Sequence, residues 1–407
     1  MSLVVHKYGG SSLANAERIR NVAGRIARTR AEGHQVVVVC SAMGDTTDDL
    51  IKLAQQVTPR PEGREMDALL STGETVSCAL VAMALEAISC PAISLSGQQA
   101  GIRADGLHGK GLIAAIEPDR VRRELESDRV VVVAGFQGVS EDLDVMTLGR
   151  GGSDVTAVAL AASLKADRCE IYTDVKGIYT ADPRVVPEAR KLDEIDYEEM
   201  LELAAHGAKM QPRSIELAAV YDVPLFIASS FEEAPGTLIH REVHMEVRDR
   251  VRGVTYDLNV AKITVLGVPD RPGIAATLFE PLAAAGISVD TIVQNASVER
   301  MTDLSFTVAK TDLRRAMEAI NPVATHVHAR GVNFNDKLGN VSIVGTGMQF
   351  SPGYASRMFR ALAEANINIE MITTSEIRIT CIVSQEQVHE AVRALHRAFR
   401  LESGAAS

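Results

Sequence analysis

Two unbroken β-branched runs, QVVVVC from Gln35 and VVVVA from Val130, constrain the fold of this chain more than any other feature. An apolar run without alternation suits a strand covered on both faces, and such strands belong to parallel sheets flanked by helices. Shorter runs at 3–7, 92–95, 168–172 and 223–227 repeat the theme, and with 35–41 and 130–136 they make six candidate strands. Helical patterns at 15–32, 66–88 and 198–205 fall between them, so the first 230 residues predict an α/β layer structure with a mainly parallel sheet. Ligands of such sheets bind beyond the carboxyl ends of the strands.

The Gly-rich turns stand at those ends. TLGRGGSD (147–154) follows the strand at 130–136 and a polar loop, and it opens the Ala/Leu-rich run VTAVALAASL. Its glycines permit a tight turn, Ser153 and Asp154 stand where a helix N-cap and first turn are expected, and free N–H groups there attract anions. Arg150 adds a planar fork of donors suited to a carboxylate or a phosphate. KYGGSS (7–12) leaves the first strand in the same way, its lysine placed to lie against phosphate oxygens. Either turn alone is equally an ordinary strand-to-helix connection, since KYGGSS lacks the spacing of a P-loop. CSAMGDTT (40–47) and LLSTGE (69–74) are further small-residue turns. Glu74 after STG reads as a solvated helix residue or as a ligand. YTDVKGIYTADPR (172–184) and HGAKMQPR (206–213) add an aromatic and apolar wall with charges, and Lys209 at an expected helix start.

A charge-rich stretch, 231–249, predicts a domain boundary. Beyond it the sequence repeats at an offset of 80 residues: ITVLGVPDRPG from Ile263 answers IVGTGMQFSPG from Ile343, and LAAAGISVDTI answers LAEANINIEMI. Two related α+β modules account for this repeat. Each carries a Gly-bearing loop before a helix and an acid further on, Asp290 and Glu370, a pairing that suits a zwitterionic amino acid; two purely structural modules would look alike at this level.

The chain has 407 residues, 46% hydrophobic and 23% charged, with a formal net charge of -11. That composition predicts a globular protein of two or three domains and speaks against nucleic acid or an anionic membrane as partner. The five cysteines are scattered without a CxxC, which predicts reduced thiols and no zinc site. A strand beginning at residue 3 leaves no room for a signal peptide, and no apolar run was expected to approach membrane-spanning length, so the expected location is the cytoplasm.

Taken together, KYGGSS, CSAMGDTT, LLSTGE, TLGRGGSD, YTDVKGIYTADPR and the paired modules ending in TTSEIRI (373–379) resemble the aspartate kinases of the amino-acid kinase superfamily over almost the whole chain. The resemblance implies a three-layer αβα kinase domain at 1–245 and two ferredoxin-like ACT modules at 246–337 and 338–407. It implies phosphorylation of the side-chain carboxylate of L-aspartate by ATP, the first step toward lysine, threonine, methionine and diaminopimelate. Lys7 and Asp154 are the implied catalytic pair, with Asp154 orienting Lys7. Lys7, Tyr8, Gly9, Gly10, Thr173, Asp174, Tyr179, Asp182, Arg184, Lys209 and Met210 would bind ATP. Ser41, Thr47, Glu74, Arg150, Gly151, Gly152 and Ser153 would bind aspartate, with Arg150 on its α-carboxylate and Glu74 on its ammonium. Mg²⁺ would travel on the ATP phosphates without direct protein ligands. Free lysine, threonine or both would act at Asp270, Ile274, Ala275, Asp290, Gln294, Asn295, Ser375 and Glu376. The resemblance further implies a homo-oligomer, or association through the ACT modules with a shorter β subunit begun at an internal start such as Met245. Ser351 and Thr291 depart from the residues usual in the modules. The competing readings are a kinase for another small amino-acid carboxylate and a catalytically silent amino-acid sensor; the presence of Lys7, Arg150 and Asp154 speaks against the silent sensor.

Overall fold

The computed structural model describes residues 2–59, 61, 63–241, 251–294, 301–346, 348 and 352–403; Met245, Asn295 and Ser351 lie outside them. Its chain forms two compact units. The first comprises 1–178, 191–205 and 209–245, and the second comprises 179–190, 206–208 and 246–407.

In the first unit the elements run β1 (Leu3–Tyr8), α1 (Ala16–Ala31), β2 (Gln35–Cys40), α2 (Thr46–Val57), α3 (Arg64–Leu70), α4 (Thr72–Glu86), β3 (Ala92–Leu95), β4 (Ile102–Asp105), β5 (Leu112–Ile116) and α5 (Asp119–Glu126). There follow β6 (Val130–Ala134), β7 (Gln137–Val139), β8 (Val145–Thr147), α6 (Gly152–Leu164), β9 (Arg168–Thr173), β10 (Glu194–Asp196), α7 (Tyr197–Ala205), α8 (Pro212–Tyr221), β11 (Leu225–Ser229) and β12 (Thr237–His240). The main sheet has the order β10-β12-β11-β9-β1-β2-β6-β3, and β11, β9, β1, β2, β6 and β3 run parallel. The apolar β2 and β6 lie side by side within it, between β1 and β3, buried from Val36 to Cys40 and from Val130 to Ala134, as strands covered on both faces must be. α1 forms because Asn15 caps it, its side chain accepting from Arg18 N, and because Ile19, Val22, Ala23 and Ile26 make one buried stripe. A second sheet, β5-β4-β7-β8, was not legible as strands, since its segments are three to five residues long and only partly apolar.

The expected helix at 66–88 is two helices meeting at Ser71. Counted together, Arg64–Glu86 spans 23 residues and holds an 18-residue stretch of mean hydropathy 1.6, long and apolar enough to cross a membrane, contrary to the expectation that no run approaches this length. Half of that stretch is buried inside the unit, where Cys78, Val81, Ala82 and Leu85 join α1 and β2 in one core. The apolarity is that of a core helix.

The second unit contains β13 (Gly253–Pro269), α9 (Ile274–Ala284), β14 (Val289–Gln294), β15 (Met301–Ala309), α10 (Leu313–His326), β16 (Gly331–Val344), α11 (Tyr354–Glu364), β17 (Met371–Thr374), β18 (Arg378–Ser384) and α12 (Val388–Ala398). One antiparallel sheet, β14-β15-β13-β16-β18-β17, carries all the helices. Two cores lie on it, one around Ile263, Leu278 and Phe306, the other around Val341, Met358 and Val392. The packing departs from a linear division at 337/338. Residues 253–257 of β13 pair with 340–344 of β16, and Val254 belongs to the second core. A register shift between Asp257 and Val260 passes β13 from the second core to the first. Residues 179–190 and 206–208 also group with this unit, so it takes two short segments from within 1–245. Thr180 Oγ1 sits 3.0 Å from the buried His396 Nε2, and Thr255 Oγ1 donates to His206 O at 2.7 Å. Burial and the nearby Arg378 push His206 down to about 4.

Candidate active site

β1 alternates its side chains across the sheet. His6 and Tyr8 point into the core on one face, where Tyr8 stacks on Tyr172 at 5.0 Å and His6 lies 3.2 Å from Glu170. Lys7 therefore faces the opposite layer, which holds α6, and its Nζ reaches Asp154 Oδ1 at 2.6 Å. Tyr8 accordingly differs from its expected place at the nucleotide: its ring is fully buried, and its carbonyl is taken by Ser41 N at 3.1 Å.

The registers Tyr8↔Cys40, Tyr8↔Tyr172 and Cys40↔Ala134 align the carboxyl ends of β1, β2, β9 and β6 on one edge. The turns leaving that edge pack closely. A side chain on Gly10 would come within 2.8 Å of Ala42 O, and one on Gly152 within 2.8 Å of Leu148 Cβ. The result is a cleft of about 880 Å³ whose lining includes Lys7, Gly10, Ser41, Thr47 and Glu74. The run from Gly149 to Asp154 forms the facing wall. All seven residues expected to bind the acceptor substrate thus lie in one cleft with Lys7 and Asp154. Ser153 and Asp154 fall in the first turn of α6, whose N-terminal N–H groups and dipole favour an anion. Arg150 is exposed, and among the described residues its guanidinium has no partner; its carbonyl accepts from Gln211 Nε2.

Glu74 is 3% exposed. Its Oε1 accepts from Ala42 N at 3.1 Å, while its Oε2 is buried without a hydrogen-bond partner among the described residues. Burial, opposed by backbone hydrogen bonds, raises its carboxyl from 4.5 to about 7. A buried acid with one open oxygen is poised for a cationic ligand. The cleft also contains residues the sequence reading missed. Asp67, 1% exposed on α3, accepts from Thr147 Oγ1 at 2.5 Å, His108 Nδ1 at 2.7 Å and Gly109 N at 3.0 Å. A lone acid in an apolar helical stretch gives no signal of such partners 41, 42 and 80 residues away.

The expected nucleotide residues are divided. Asp174 pairs with Lys209 at 2.8 Å, and that pairing, against partial burial, holds its carboxyl below the usual range. Lys209 stands in the bend ahead of α8, not in its first turn. Tyr179, Asp182 and Arg184 belong to the second unit, where Arg184 Nη2 meets Asp182 Oδ2 at 2.6 Å. In the same unit Gly273 caps α9 in the left-handed region, Ile274 is buried in the first core with Ala275 beside it, and Asp270, Asp290 and Gln294 are exposed. The buried Thr291 donates its N–H to Thr307 Oγ1. Ser375 and Glu376 form the turn before β18, with Ser375 N bonded to Arg378 O, and Glu370 pairs with Lys262 at 3.3 Å.

The profile of the amino acid kinase family matches residues 2–229, and that of the ACT domain matches 263–322 and 341–399. The aspartokinase of Corynebacterium glutamicum is 51% identical, covering 98% of this chain and 97% of that protein. The aspartokinase of Pseudomonas aeruginosa is 48% identical over 100% of this chain and 99% of its own. This chain belongs to the aspartokinase family. Among solved structures, E. coli aspartokinase III in complex with aspartate and ADP (R-state) covers 98% of this chain and 100% of its own at 25% identity, with a TM-score of 0.82. The same enzyme in complex with lysine and aspartate (T-state) aligns over 98% of this chain and 99% of its own with a TM-score of 0.74, also at 25% identity.

Proposed function

We propose that this aspartokinase-family chain transfers the γ-phosphoryl group of ATP to the side-chain carboxylate of L-aspartate, giving 4-phospho-L-aspartate and ADP. The observation that carries the reading is the single cleft in which a buried acid with an open oxygen, Glu74, lies with the Lys7–Asp154 pair and with Arg150, whose guanidinium has no partner among the described residues. The attacking carboxylate is ionised at pH 7, so the protein needs no general base; it must align donor and acceptor and neutralise charge. Lys7, oriented by Asp154, serves the transferring phosphoryl group with Gly9 and Gly10. Arg150 takes the α-carboxylate and Glu74 the ammonium, while Ser41, Thr47, Gly151, Gly152 and Ser153 complete the acceptor site. Thr173, Asp174, Lys209 and Met210 of the first unit serve the nucleotide. Mg²⁺ on the ATP phosphates would neutralise their charge; Asp154 and Asp67 are already occupied by Lys7 and by Thr147, His108 and Gly109, which fits a cation brought by the nucleotide.

The reaction opens the route to lysine, threonine, methionine and diaminopimelate, in the cytoplasm. The ACT modules take free lysine, threonine or both at the helix start near Ile274 and at Asp290, and they join copies of the chain or a shorter β subunit. One ADP-release assay tests this reading. Aspartate should support turnover while glutamate and homoserine do not, and lysine or threonine, singly or together, should reduce it. Turnover with glutamate in preference to aspartate, or with no acceptor at all, overturns the assignment.

Glu74 makes the acceptor site pH-dependent. Its pKa is raised, so the ionised form costs the ligand-free fold stability as pH climbs from the ordinary carboxyl range through about 7. Below that value the neutral acid offers an ammonium no charge. With about a tenth of the sites ionised at pH 6 and nine tenths at pH 8, the KM for aspartate should fall by about tenfold between them. Steady-state kinetics at fixed, saturating ATP check this; a flat profile means that Glu74 does not hold the ammonium.

A further inference from the structure

We propose that His108 is a second contact for the ammonium of the acceptor amino acid, sharing it with Glu74 and so selecting an amino acid over a plain dicarboxylate. The inference rests on the aspartate-kinase reading and deepens it. His108 stands at the tip between β4 and β5 and lines the cleft, its side chain 31% exposed. Its Nδ1 lies 2.7 Å from Asp67 Oδ2, and the same acid accepts from Thr147 Oγ1 and Gly109 N. A carboxylate only accepts, so the ring's proton stands on Nδ1 and the Nε2 of the neutral imidazole is an acceptor. Asp67 is 1% exposed and has no solvent alternative to these bonds, so it fixes the ring. Among the described residues the Nε2 of His108 has no partner.

The placement of the two acids brings this nitrogen toward Glu74. Asp67 on α3 and Glu74 on α4 are seven residues apart, and Ser71 at the join keeps helical backbone. Both acids therefore line the cleft from one side, about 10 Å apart along the axis. An imidazole bonded to one acid and a single ammonium nitrogen bonded to the other fill a gap of about that size. Glu74 Oε2 and His108 Nε2 then take two of the three N–H groups that an ammonium offers. The tip also touches the turn of Arg150: a side chain on Gly149 would come within 3.4 Å of Gly109 O, and Gly111 N donates to Thr147 O at 2.9 Å. Ammonium and α-carboxylate hang on one carbon, so their contacts have to converge, and the touching turns of His108 and Arg150 meet that requirement. A dicarboxylate without the ammonium leaves both acceptors unpaired against carbon, which is the costly mismatch in a desolvated site.

Two amide substitutions separate the two ring nitrogens. His108→Asn places an amide nitrogen near Nδ1, which keeps the bond to Asp67, and removes the group at Nε2; His108→Gln reaches the Nε2 position and gives up Asp67. The KM for aspartate should rise about tenfold in His108→Asn and about threefold in His108→Gln, while the KM for ATP stays within about twofold in both. Succinate, which lacks the ammonium, should compete with aspartate with an inhibition constant that stays within about twofold across the parent and both variants. If His108 only props the tip on Asp67, His108→Asn should match the parent and His108→Gln should be the worse variant. That order overturns the inference, as does a loss for succinate equal to the loss for aspartate. The parent enzyme separates the two levels: if it phosphorylates aspartate while His108→Asn keeps its KM, His108 fails and the function stands; if the parent does not phosphorylate aspartate, both fall.

Discussion

Lys7→Met should lower kcat by about 100-fold or more, the scale for losing one preorganised electrostatic group at the reacting centre, or about 2.7 kcal/mol of barrier. The basis is geometric. Lys7 lies on the central strand of the sheet, its side chain is 12% exposed, and Asp154 fixes its ammonium from the first turn of α6. Methionine retains most of the stem's volume, so packing against α6 persists while the charge is lost. The KM for ATP should change only a few-fold, because the contacts to base and ribose come from elsewhere. Single-turnover phosphoryl transfer in the variant checks the claim, and near-normal turnover would remove Lys7 from the chemistry.

The second large effect belongs to the acceptor clamp. Glu74→Ala should raise the KM for aspartate on the order of 100-fold, matching about 2–3 kcal/mol for a lost charge-assisted bond in a buried site. The KM for ATP should hardly move, since Glu74 lies on α4 and the proposed nucleotide contacts of this unit come from 173–174 and 209–210. Arg150→Lys should be nearly as harmful, because one ammonium cannot reproduce the fork of a guanidinium on a carboxylate. Kinetics of both variants against each substrate decide the matter: loss confined to ATP would mean that acceptor and nucleotide have been placed the wrong way round.

Much of this site was legible in the residues. KYGGSS and TLGRGGSD announced Gly turns at strand ends, and β1 and α6 place both in one cleft with Lys7 against Asp154. Glu74 was ambiguous as a helical acid; its burial rules out a solvated side chain, and its Oε2 has no hydrogen-bond partner among the described residues. Tyr8 was misread because KYGG looks like a continuous binding loop, whereas strand alternation sends its ring into the core. Asp67 and His108 could not be found from local pattern, since each acquires meaning only when a contact over 41 residues closes.

By itself the sequence determined what depends on local pattern: unbroken β-branched runs that demand a covered parallel sheet, glycines at strand ends, and an 80-residue repeat that makes two like modules. The tertiary structure alone decided what depends on distant segments meeting. It divided β13 between two cores around register shifts at 257–262, and it gathered 179–190 and 206–208 into the second unit. It also raised Glu74 to about 7 by burial. Periodicity is written within ten residues of chain, whereas burial and charge environment are properties of whichever remote segments come to lie against a group.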